Sequence, residues 1–147
     1  MLNEIFSPMR IKLNLESNTK TGVFGELVET ISVFNPELDD RELLEAVISR
    51  ESKMNTIIRP GIAVPHGYCS KINGIIGAIG FSEAGIKYGD ISKDPVNLFF
   101  LLLLDEYSRE KHLYFLSRLL DLLNSPEFPK IGGMESPEDV YNLLCDF

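Results

Sequence analysis

The chain carries only two histidines, and each stands where an imidazole can do chemistry. His66 closes the run "GIAVPH" and is pinned between Pro65 and Gly67. Proline fixes the chain entering the histidine and glycine permits an unusual exit, so a turn of this kind can expose the ring. The position also lies just beyond a short apolar strand, where open α/β sheets place their ligands. His112 falls in the first turns of a helical stretch that follows the apolar run "LFFLLLL", Leu98 to Leu104. If the two strands are parallel neighbours, both rings meet at one sheet edge. A helix N-terminus opposes protonation of an imidazole and keeps it neutral, while its free N–H groups suit an anion such as a phosphoryl group. Arg50, near the end of a helix ahead of the His66 turn, offers a permanent charge and a planar fork for phosphate oxygens. These ingredients suit an anion beside a nucleophilic imidazole.

Taken singly, none of these signals is specific. A histidine after proline is more often a turn residue than a nucleophile, and His112 alone reads as a partly buried helix residue. Arg50 in a last helical turn is most simply a favourable dipole partner, and Glu51 beside it a solvated surface charge. Zinc has little support: there is no H-E-x-x-H, and the spacing from His66 to Cys69 is weak. No P-loop, G-x-G-x-x-G or G-x-S-x-G is present, so nucleotide binding and serine hydrolysis have no handle.

The elements that must position these residues are legible from periodicity. "IKLNL" alternates Ile11, Leu13 and Leu15 as a first strand, and Val23, Phe24, Leu27, Val28 and Ile31 form a helical stripe that Asn35 and Pro36 end. Asp39 and Glu42 resemble a capping box before a second stripe of Leu43, Leu44, Val47 and Ile48. "GIAV" and "IIGAIGF" read as strands, the glycines of the latter suggesting close backbone approach, and "IKY" between Gly85 and Gly89 as an edge strand. "VNLFFLLLL" is apolar on both faces, as a central strand under two helical layers must be. His112, Leu116, Leu119, Leu120 and Leu123 share one stripe of a helix capped by Ser108, and Ser136, Pro137 and Asp139 open a last helix. Interleaved strands and helices argue for one α/β domain, a sheet with helices on both faces.

Composition bounds the function class. A chain of 147 residues, 44% hydrophobic and 24% charged, suits one compact domain over residues 1–147. A net charge of −8 opposes non-specific binding to nucleic acid or anionic lipid. The longest apolar run is far short of the roughly 20 residues that span a bilayer, so no direct membrane insertion is expected. The N-terminal stretch has no secretory pattern, which makes a cytoplasmic location the default. Cys69 and Cys145 read as reduced thiols.

The segment "RESKMNTIIRPGIAVPHG", Arg50 to Gly67, resembles the active-site segment of the fructose/mannitol-type enzyme IIA domains of the bacterial phosphoenolpyruvate:sugar phosphotransferase system (PTS), including their nitrogen-regulatory relatives. "PVNLFFLLLLDEYSREKHLYFLSRLLDLL" resembles that family's central strand and His-Leu helix, and "SPEDVYNLL" its last helix. The resemblance implies a mixed, mostly parallel sheet flanked by helices. It implies His66 as phosphoryl acceptor, Arg50 as the phosphate-stabilising cation and His112 as the supporting second histidine. The implied partners are the phosphocarrier HPr and either an enzyme IIB domain or a regulated protein, with no cofactor and no metal. The implied activity is a phosphotransferase component with a phosphohistidine intermediate, in sugar uptake or in phosphorylation-controlled binding; an inactive scaffold is the remaining alternative. Where the family commonly has glycines, this chain has Ile57, Arg59 and Pro60, which limits positive φ in that loop, and Arg59 is expected to face water.

Overall fold

A computed structural model describes residues 2–89 and 94–147. Its centre is a six-stranded mixed sheet: β1 (Ile11–Lys12), β2 (Ile57–Arg59), β3 (Ile62–Ala63), β4 (His66–Tyr68), β5 (Ile75–Ile86) and β6 (Val96–Leu104). The order is β1-β5-β6-β3-β2, with β4 also paired to β6. β1 runs parallel to β5, and both β3 and β4 run parallel to β6, whereas β5–β6 and β2–β3 are antiparallel. The helices are α1 (Leu2–Ile5), α2 (Lys20–Ser32), α3 (Asp40–Lys53), α4 (Arg109–Asn124) and α5 (Pro137–Leu144).

Alternation along β6 builds two cores. Leu98, Phe100, Leu102 and Leu104 pack with Phe115, Leu119, Leu122 and Leu123 of α4 and Val140, Leu143 and Leu144 of α5. Phe99, Leu101 and Leu103 face the other way, into Val23, Phe24, Leu27 and Ile31 of α2 and Leu43 and Val47 of α3. A strand with no solvated face needs apolar residues at every position, which is why its sequence shows no polar alternation. The glycines of β5 meet the expectation of close approach: a Cβ at Gly77 would collide with the Phe6 ring, and one at Gly80 with Leu15 and Leu27.

Several boundaries differ from the sequence reading. The first strand pairs only through Ile11 and Lys12, although Leu15 still donates its N–H to the Phe81 carbonyl at 3.1 Å. No separate "IKY" strand forms: Ile86 ends β5, paired with Val96, and Lys87–Gly89 lie outside any strand. Leu120 is 47% exposed rather than part of the buried stripe of α4, whose core-facing side instead includes Phe115 and Leu122. Asp39 caps α3 by accepting from the Arg41 N–H at 2.9 Å, so the cap closes one residue earlier than a capping box would. Ser136 caps α5 as expected, accepting from the Asp139 N–H at 3.2 Å.

Candidate active site

The strand that carries His66 is broken in two. β3 pairs with the first half of β6 and β4 with the second, so Val64 and Pro65 form a step between them. His66 therefore opens a strand of its own rather than lying beyond one, in register with Leu102. Registered neighbours share a face, which turns His66 toward α4 and Gly67 toward α3. Gly67 can only be glycine there, because a Cβ would sit 2.9 Å from backbone atoms of Ala46 and Val47.

After β6 the chain turns through Asp105, whose carboxylate accepts from the Gly74 N–H at 2.5 Å and the Tyr107 N–H at 2.8 Å. α4 then returns over the face that His66 occupies. The condition set from sequence, that the two strands be parallel neighbours, is met, and the rings of His66 and His112 stand edge to face with centroids 4.9 Å apart. Arg50 and both histidines line one cavity of about 300 Å³, together with Asn55, Thr56 and Leu116. All three sequence-predicted site residues thus converge.

Hydrogen bonding selects the tautomer of His66. Its Nδ1 lies 3.0 Å from the Val64 carbonyl oxygen, which can only accept, so Nδ1 carries the proton and Nε2 keeps a free lone pair. Burial pushes the ring's pKa below its ordinary value, with the Arg50 charge acting the same way against the opposing Val64 hydrogen bond. His112 is held down to about 4 by burial, then by His66 and Arg50. Both rings are neutral at pH 7; the helix N-terminus was expected to keep His112 so, and burial is the leading cause in both. The Arg50 guanidinium is steadied by donating to the Met54 carbonyl at 2.8 Å.

Two charged neighbours behave differently from the sequence reading. Glu51 is not a solvated surface charge but is only 6% exposed; it accepts from the Thr56 N–H at 3.1 Å and the Thr56 hydroxyl at 2.6 Å, and pairs with Lys20 at 3.1 Å. Arg59 does not face open water: it donates to the Leu123 carbonyl and to Asn124 Oδ1, both at 2.9 Å, at the C-terminus of α4. The segment Ile57–Arg59 needs no glycine because it is extended and pairs with β3, and the turn's positive φ falls on Gly61 at 82°. Among the described residues no cluster of three or more His, Cys, Asp or Glu could hold a metal, and no helix is long and apolar enough to cross a membrane.

Known proteins are similar to this chain in sequence and fold. The family model described as "Phosphoenolpyruvate-dependent sugar phosphotransferase system, EIIA 2" matches residues 4–146. The fructose-specific EIIABC component of the PTS of Bacillus subtilis is 33% identical over 144 residues, which are 97% of this chain and 23% of that protein. The chain therefore spans about a quarter of that relative's length. The crystal structure of nitrogen regulatory protein IIA-Ntr from Neisseria meningitidis superimposes with a TM-score of 0.87 at 25% identity, covering 97% of this chain and 98% of that one. The mannitol enzyme IIA of Escherichia coli, solved in complex with phosphorylated enzyme IIB, shares the fold with a TM-score of 0.78 at 18% identity, over 97% of this chain and 98% of its own. With a matching family model that runs from residue 4 to residue 146, on a sheet whose broken strand brings His66 under His112, the chain belongs to the EIIA 2 family of the phosphoenolpyruvate-dependent sugar phosphotransferase system.

Proposed function

We propose that this chain is a phosphoryl carrier that accepts phosphate on Nε2 of His66 from phospho-HPr and passes it to an enzyme IIB domain. The observation that carries this reading is the hydrogen bond from His66 Nδ1 to the Val64 carbonyl, which leaves Nε2 as the nucleophile in a cavity shared with Arg50 and His112. The Nε2 lone pair attacks phosphorus, the donor's P–N bond breaks, and its electron pair returns to the donor imidazole. The proton stays on Nδ1, hydrogen-bonded to the Val64 carbonyl, throughout. Phosphoryl transfer asks mainly for alignment and charge stabilisation. Arg50 supplies the positive charge, and a neutral His112 supplies an N–H for a phosphoryl oxygen. The domain over residues 1–147 needs no cofactor in this scheme.

A second reading, a nitrogen-type regulatory IIA whose phosphorylation state controls what it binds, is favoured by the high TM-score to IIA-Ntr. Both readings share the phosphorylated histidine and differ in its consequence. Incubating the phosphorylated protein with fructose- and mannitol-type IIB domains tests the first: transfer of phosphate to IIB supports sugar uptake. A phosphoryl group retained on His66 in their presence, with capture of a non-transport protein that depends on it, refutes relay and supports the regulatory reading.

A further inference from the structure

Glu51 is the most buried acidic side chain around the site, yet it lies outside the cavity that holds the histidines. A carboxylate in the last turn of a helix faces the negative end of the dipole, and burial adds a desolvation cost. Its partners offset both. Lys20 of α2 supplies the counter-charge at 3.1 Å, and its ammonium lies 3.9 Å from the centroid of the Tyr88 ring. Further contacts go to Thr56, through the backbone N–H and the hydroxyl.

Thr56 is the start of a chain of hydrogen bonds that ends on the nucleophile. Its carbonyl accepts from the Val64 N–H at 2.9 Å, and the Val64 carbonyl accepts from His66 Nδ1 at 3.0 Å. Val64 is itself only 2% exposed. The same turn carries the Met54 carbonyl on which Arg50 is seated. One carboxylate thus anchors the turn that fixes both the ring and the cation.

Building on the phosphoryl-carrier reading, we propose that Glu51 is a positioning residue: by clamping Thr56 it holds the Val64 carbonyl where it fixes the Nδ1-protonated tautomer of His66, aims Nε2 into the cavity and seats Arg50. Glutamine keeps the shape, and the Thr56 hydroxyl can turn to accept from its amide, but the lost charge removes the ion pair with Lys20 and weakens both Thr56 contacts, so the clamp loosens. Misplacing a nucleophile by a fraction of an ångström, or loosening the group that orients an imidazole, costs on the order of 10- to 100-fold in rate.

The test uses Glu51→Gln and Thr56→Val, the latter removing only the hydroxyl contact. Long-range ¹H–¹⁵N spectra of the unphosphorylated proteins report which ring nitrogen of His66 carries the proton, and phosphorylation by phospho-HPr is followed over a range of carrier concentrations. Glu51→Gln is expected to give mixed tautomers of His66 and a maximal rate reduced about 10- to 100-fold, with half-saturation within about twofold; Thr56→Val shifts both measures the same way by less. A general loss of structure would alter the amide spectrum throughout, and Thr56→Val then decides the matter. Wild-type tautomer and wild-type rate in a folded variant overturn the proposal. Failure of the wild type to accept phosphate refutes the carrier reading, and the tautomer spectra still decide whether Glu51 sets the ring.

Discussion

Acidification should destabilise this protein through His112, and the structure sets the size of the effect. The ring sits against His66 and in the cavity lined by Arg50, and its pKa falls from an ordinary 6.5 to about 4. Between these values the unfolded chain binds the proton and the folded chain does not. Stability from this group is therefore full above pH 6.5 and is lost as pH falls toward about 4. The whole span corresponds to about 3 kcal/mol without screening; water reaches the half-buried ring, so about 1–2 kcal/mol is the working expectation. Urea denaturation of wild type and His112→Gln from about pH 7.5 to about pH 4.5 isolates the contribution. Carboxylates common to both proteins cancel in that comparison. Glu26 belongs to a lower window: burial raises its pKa, but hydrogen bonds from Ser17 and Lys12 outweigh this and bring it to about 2. Wild type should lose about 1–2 kcal/mol more than the variant on going to the acid end. Parallel profiles, or a wild type that holds up better in acid, would refute the reasoning.

Arg59→Ala removes two hydrogen bonds to the C-terminus of α4 and should cost about 1–3 kcal/mol in urea denaturation, with Arg59→Lys in between because an ammonium cannot replace the fork; no change would return Arg59 to solvent. Gly67→Ala drives a methyl group into the backbone of α3 at Ala46 and Val47, so the midpoint should drop by an amount worth about 1–3 kcal/mol or more. A neutral outcome there would mean that β4 and α3 are not in contact as described.

How much of this was legible in sequence depended on how local the cause was. The span from Arg50 to His66 is contiguous, and its strand–proline–histidine–glycine order encodes the turn directly. The meeting of His66 with His112 crosses 46 positions; the all-apolar run Leu98–Leu104 pointed to a central strand, but whether its neighbour runs parallel stood in the sequence only as a condition, which the pairing of β3 and β4 with β6 meets. Glu51 was misread because its partners are Lys20 on another helix and Thr56 beyond the helix end. One signal was available: an acidic residue in a last helical turn opposes the dipole and needs a compensating contact. Arg59 reaches Leu123 across 64 residues, and periodicity carries no information about such pairs. The short "IKY" strand failed because Gly85, with φ of 79°, bends β5 without ending it, and Ile86 still pairs with Val96.

The most direct test of the account is phosphorylation with phosphoenolpyruvate, enzyme I and HPr, read by intact mass and by ³¹P–¹⁵N correlation on the ring. The account predicts one acid-labile phosphoryl group bonded to Nε2 of His66, absent in His66→Ala and formed more slowly in His112→Ala and Arg50→Ala. A phosphoryl group on Nδ1, on another residue, or none at all with the carrier fully charged, would contradict it.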